Sequence, residues 1–171
     1  MNNTIKHILN FTGLIATQVL VVDQIDLLGL NVFISPIIIG TYLFLLPLGW
    51  RKNLLLFLAF FMGIILDSFH NTLGMNTAAM VLLAFFKPVI LRVVLPREGM
   101  DFESRASIFT LKMFNYLIFS SISFFVYHLA YFSLESLIID SFFNVLIKAF
   151  ASTIFAVLLS ILYQFLTLKK R

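Results

Sequence analysis

A chain of 171 residues with 61% hydrophobic and 12% charged side chains, a mean hydropathy of +1.03 and a net charge of +4 carries about half the roughly 25% charge of a soluble domain. Water is therefore not its main solvent, and about six membrane spans of roughly 20 residues would use almost all of its length. This excludes a soluble catalytic domain and places any function within a membrane bundle or on its short loops. Cysteine is absent, which excludes disulfides, thiolate metal sites and cysteine nucleophiles. The basic residues are scattered over loops and helix ends, so they form no face for nucleic acid. The 21 Phe read as lipid-facing and inter-helix filling rather than as a cofactor box.

In chain order, a short head with Lys6 precedes a first apolar run over 8–22, which ends at Asp23 and Asp26. No small-residue cleavage site follows it, so a retained span is expected. Gly13 and Thr17 share one helical face and permit close approach of a neighbour. A second span is expected over 32–49, with Pro36 in its first turn and Pro47 near its end. Trp50, Arg51 and Lys52 then form an interfacial anchor.

The third span, 53–67, carries Ala59 and Gly63 four residues apart, a small-residue face leading to Asp67 at its end. A polar turn with Ser68, His70, Asn71 and Thr72 follows, and Gly74 with Asn76 opens the fourth span, 73–95. An ionisable residue at a membrane helix end is a functional-site candidate. Asp67 and Asn76 can approach across this turn. There the carboxylate is expected to accept from Ser68 or from the free N–H groups of the next helix start. Lys87 and Arg92, near the other end of the fourth span, are expected to snorkel to the headgroups in preference to a buried pairing.

The linker 96–107 mixes charges of both signs, and Ser104 or Ser107 marks the next helix start. The fifth span, 108–132, holds Ser120, Ser121 and Ser123 for inter-helix hydrogen bonds. Tyr127, His128 and Tyr131 are expected as an aromatic belt at its outer end. The sixth span, 142–168, carries a ridge of small residues, Ser152, Ala156 and Ser160, and ends in Lys169, Lys170 and Arg171.

The charges orient the chain. With both termini cytoplasmic, Lys6, Arg51, Lys52, Arg97, Arg105, Lys112 and the final basic tail lie inside. Asp23, Asp26, Asp67, Glu135 and Asp140 then lie outside, as positive-inside topology requires. Lys148, two turns into the last span, is expected to snorkel or to pair with an outer acid.

The residues 63–80, G-I-I-L-D-S-F-H-N-T-L-G-M-N-T-A-A-M, followed by L-A-F-F-K-P at 83–88 and L-P-R-E-G at 95–99, resemble the MreD family of rod shape-determining membrane proteins in its Bacteroidetes form. Length, span number and the lack of a soluble domain agree along the whole chain. The family usually has Gly where Asn71 stands and often His where Asn76 stands. The resemblance implies a non-enzymatic, cofactor-free component of the cell-elongation machinery in the bacterial inner membrane. Its implied partners are MreC, MreB and the RodA glycosyltransferase with its penicillin-binding protein, which together direct lateral peptidoglycan synthesis. On this reading Gly63, Asp67, Gly74 and Asn76 form a partner or structural site. Ala59, Ser152, Ala156 and Ser160 pack helices, and membrane lipid surrounds the bundle. No hydrolase, metalloprotease or nucleotide-binding motif occurs.

The implied fold, an all-α bundle of about six transmembrane helices, is similar to that of the substrate-binding subunits of energy-coupling-factor vitamin transporters. A subunit of that kind is the alternative function, with a pocket near Asp67, His70 and Asn76. Against it, those subunits commonly carry A-x-x-x-A in the first helix, whereas Leu20 follows Ala16 by four residues here.

Overall fold

A computed structural model describes residues 11–18, 35–95, 104–136 and 142–167, and all its named elements are helices. In order they are α1, helical over 11–17, α2 (Gly40–Leu45), α3 (Lys52–His70), α4 (Met75–Val94), α5 (Ile108–Leu111), α6 (Met113–Glu135) and α7 (Phe142–Thr167). Among the described residues four helices, α3, α4, α6 and α7, are long and apolar enough to cross a membrane. They identify a multi-pass membrane protein. The ends of the first span, most of the linker 96–107 and the terminal basic cluster lie outside the described residues, as do Asp23, Asp26 and Asp140.

The polarity of the bundle is inverted relative to a soluble domain. Phe57, Phe61, Phe85, Phe150, Ile154 and Leu166 are exposed on the long helices, while Gln18, Asn76, Lys87, His128, Ser152, Ser160 and Gln164 are buried. Lipid tails impose this arrangement, because they solvate rings and alkyl groups but offer polar atoms no partner. Polar atoms therefore turn inward and bind one another.

The stretch expected as a second span is different. Residues 35–38 have no regular secondary structure and only the six residues of α2 are helical before Leu46. Pro36 and Pro47 remove donors at both ends, and neighbours supply what a helix would have supplied internally. Gln18 of α1 donates to the Pro36 carbonyl at 3.2 Å and accepts from Ile38 N at 2.8 Å. Ser35 N donates to Ser152 Oγ at 3.1 Å and Ile37 N to His128 Nε2 at 3.4 Å. Irregular backbone at membrane depth is tolerated only when buried in protein, and all six residues of α2 are buried. Phe44 packs edge-on against Phe119 and Phe124 of α6, with centroids 4.8 and 5.1 Å away. The first part of this central segment, 35–48, runs along α7: Ser35 meets Ser152, and Thr41 donates to Ser160 Oγ at 2.9 Å. Eight residues of helix rise about 12 Å, so residues 35–41 run beside about two-fifths of a hydrocarbon core roughly 30 Å thick.

Three expected side-chain placements are corrected. Lys87 does not snorkel: it is 3% exposed and its ammonium donates to the Leu43 carbonyl at 2.5 Å. That carbonyl belongs to the last turn of α2, where a cation is favoured and helical partners are lacking. Tyr127, His128 and Tyr131 form no surface belt; all three are buried. Ser120 bonds back to its own helix at the Tyr116 carbonyl, 2.7 Å away, rather than across to another.

The span expected over 108–132 is divided at Lys112 into α5 and α6. The residues before α5 return to the central segment: Leu48 N donates to the Ser104 carbonyl and Ala106 N to the Phe44 carbonyl, both at 3.0 Å. Pro47 and Arg105 form an isolated antiparallel bridge between these bonds.

Candidate functional site

The α3–α4 hairpin is built around Asp67. Asn71 ends α3 in the left-handed conformation (φ 55°), its N–H bound to the Asp67 carbonyl. Thr72 N donates to the same carbonyl at 3.1 Å, a Schellman-type closure in which Asn is the usual substitute for Gly. Gly74 then stands at the N-cap of α4 with φ 81°. Nothing lies within 4 Å of the Cβ it lacks, so backbone conformation is what demands glycine there.

Without a side chain, Gly74 cannot cap α4, and Asp67 does so from the preceding helix. Its Oδ1 accepts from Asn76 N at 3.0 Å, Asn76 Nδ2 at 3.2 Å and Thr72 Oγ1 at 2.5 Å. Oδ2 accepts from Thr77 N at 3.0 Å and Thr77 Oγ1 at 2.5 Å. The carboxylate thus meets the second and third N–H groups of α4, where a helix start favours an anion. Ser68 takes no part: its hydroxyl donates to the Ile64 carbonyl at 2.8 Å.

Asn76, fully buried, carries the network onward. Its Nδ2 also donates to Thr72 Oγ1 at 2.8 Å, and its Oδ1 accepts from the Tyr127 hydroxyl at 2.5 Å. Tyr127 lies on α6, so one chain of hydrogen bonds ties α3, α4 and α6. Every donor and acceptor of the Asn76 amide is used, which also orients it.

Gly63 allows this approach for a reason opposite to that of Gly74. A Cβ at position 63 would sit 2.3 Å from Thr77 Cα and 2.8 Å from Thr77 N, so the backbones of α3 and α4 touch one turn below Asp67. Ala59, another turn down, is fully buried.

The ridge on α7 meets the central segment instead. Ser152, Ala156 and Ser160 are all 0% exposed. Ser160 Oγ also lies 2.6 Å from the Tyr116 hydroxyl, which accepts from Gln164 Nε2 at 2.6 Å. Gln164 Oε1 in turn accepts from Ile108 N at 2.9 Å. Next to Ser152, Thr153 Oγ1 gives its proton to the Ala149 carbonyl at 2.7 Å. It therefore accepts from His128 Nδ1, 3.2 Å away, and His128 Nε2 is the acceptor for Ile37 N. These roles define a neutral imidazole protonated on Nδ1. Ser123 Oγ is the one buried side-chain atom without a partner among the described residues.

Sequence reasoning placed Asp67, Asn76 and the free N–H groups of α4 together, and it placed Tyr127 at the surface. It missed Gln18, Lys87 and Gln164 as ties to irregular backbone. A polar residue inside an apolar run was the available signal. Among the described residues no three His, Asp or Glu side chains converge as a metal site would require. No family model, curated protein or solved structure matches the chain.

Proposed function

We propose that this protein is a non-enzymatic membrane scaffold of the bacterial cell-elongation complex, an MreD-like component of the inner membrane with both termini in the cytoplasm. On this reading it supports rod shape and lateral peptidoglycan synthesis through contacts with MreC and the associated wall synthases. The observation that carries the proposal is the state of Asp67. Its two carboxylate oxygens take five hydrogen bonds, all from Thr72, Asn76 and Thr77. A receptor for a vitamin needs polar groups left to receive it, whereas this carboxylate is committed to fixing one hairpin. The hairpin is a rigid presenter: Leu73 at its tip is 96% exposed and Phe69 is 57% exposed, both carried on a turn held by the Asp67 network. An exposed apolar tip on a fixed frame suits protein contact.

Affinity purification from gently solubilised membranes, combined with cell-shape microscopy, tests this. Wall-synthesis proteins should co-elute with the wild-type chain, and Asp67→Leu should reduce capture and round the cells without affecting vitamin uptake. Co-elution of an ATPase module, or lost vitamin uptake in cells of normal shape, would replace the scaffold with the transporter reading.

A further inference from the structure

Lys112 has φ 64° and ψ 156°, a combination essentially confined to glycine. The other non-glycine residue with positive φ, Asn71, lies in the ordinary left-handed well and has a turn to explain it. Lys112 is exposed, and it is the single residue separating α5 from α6. With right-handed helical angles at this one position, the two would merge into one helix over 108–135.

We propose that Lys112 is a two-position hinge, with α5 and α6 alternating between the broken arrangement of this structure and one continuous helix. Opposing interactions balance the two positions. In the broken state no side chain caps the start of α6, so its first N–H groups lack the carbonyls of 108–111 that a continuous helix would give them. Against this, three hydrogen bonds clamp the break. Gln164 Oε1 holds Ile108 N at 2.9 Å. Two backbone bonds flanking the Pro47–Arg105 bridge fasten residues 104–106 to the central segment. Turning Lys112 swings α5 about its junction with α6 and pulls residues 104–107 off the central segment. The hinge therefore couples linker docking to the shape of α6, and it stands independently of the scaffold proposal.

The chain has no native cysteine, so a pair introduced by Leu48→Cys and Ser104→Cys reports on docking. Residues facing across an antiparallel bridge lie about 4.5–5.5 Å apart at Cα, within disulfide reach. In native membranes, oxidation followed by maleimide–polyethylene glycol counting of free thiols measures the docked fraction. Lys112→Gly, which removes the strain, should raise the ratio of cross-linked to free pairs by about tenfold. Lys112→Val, helical but intolerant of positive φ, should lower it, as should Gln164→Leu by freeing Ile108 N. Wild type, Lys112→Gly and Lys112→Val giving the same ratio, or the reverse order, would overturn the hinge. If Lys112→Val fails to accumulate, the comparison of Lys112→Gly with wild type still decides.

Discussion

The Tyr127 hydroxyl and Asn76 Oδ1 are 2.5 Å apart, joining α6 to the first turn of α4 across 51 positions of sequence. This bond makes the Asp67 network a three-helix tie rather than a local turn. Tyr127→Phe deletes one hydroxyl and leaves a buried amide oxygen without its donor. The expected loss is about 1–3 kcal/mol, toward the low end because hydrogen bonds inside membranes average near 0.6 kcal/mol. Thermal unfolding in mild detergent should show it. A double-mutant cycle with Asn76→Ala should be clearly non-additive, as for groups sharing one network; additive losses would mean that the two side chains act separately.

Asp67 itself should be graded by what each replacement can still accept. Asp67→Asn retains one acceptor but turns an amide NH₂ toward donors that need an oxygen. Asp67→Leu leaves the N–H groups of Asn76 and Thr77 and two hydroxyls without their acceptor. Folded yield should fall in the order wild type, Asn, Leu. Equal yields would show the carboxylate to be dispensable for the hairpin.

The two glycines of this hairpin make opposite demands. Gly74→Asn should be tolerated within about 1 kcal/mol, because Asn enters the left-handed region readily and nothing crowds position 74. Gly63→Asn, and even Gly63→Ala, must push α3 away from Thr77 and should sharply lower the folded yield. Monodisperse recovery on size exclusion separates the cases, and the reverse ranking would place the Gly63 face toward lipid.

Lys87 offers a test of buried against snorkelling charge. With its ammonium on the Leu43 carbonyl, Lys87→Glu sets a carboxylate against an acceptor and should prevent folding, whereas Lys87→Met should cost about 1 kcal/mol. A side chain reaching the headgroups would tolerate both. Recovery of folded Lys87→Glu protein would remove the tie between α4 and α2.

Topology is checked by alkaline-phosphatase fusions. Activity is expected after Asp67 and Glu135, and none after Arg171, because Arg51, Lys52, Arg105 and Lys112 cluster toward the opposite ends of the helices from Asp67 and Glu135. An active fusion at Arg171 would invert the orientation.

What could be read in advance follows the range of the forces involved. Asp67 and Asn76 were legible as neighbours because the tie is local: a charge ends one apolar run and free N–H groups begin the next. The Ala59/Gly63 and Ser152/Ala156/Ser160 faces were legible because four-residue spacing alone puts them in register. The central segment was not, since its hydropathy equals that of a spanning helix. Its irregular course depends on Ser152 and Ser160, more than 100 positions away in sequence. His128 misled for a similar reason: its place near the end of an apolar run suggests the interface, and only the partners Ile37 and Thr153 reveal it as interior.

The partners of the central segment also order the protein's biogenesis. Ser152, Ser160 and Gln164 belong to α7, which is synthesised after every other described helix, yet they satisfy backbone and side chains of residues 35–41 and 108. Until α7 enters the membrane, the irregular residues 35–38 have unpaired peptide groups that lipid cannot solvate. The nascent chain must therefore keep this stretch in a protected or shallow position, and seat it only once α7 has been made. Chains truncated before α7 are then natural substrates for membrane quality control, however apolar their earlier spans.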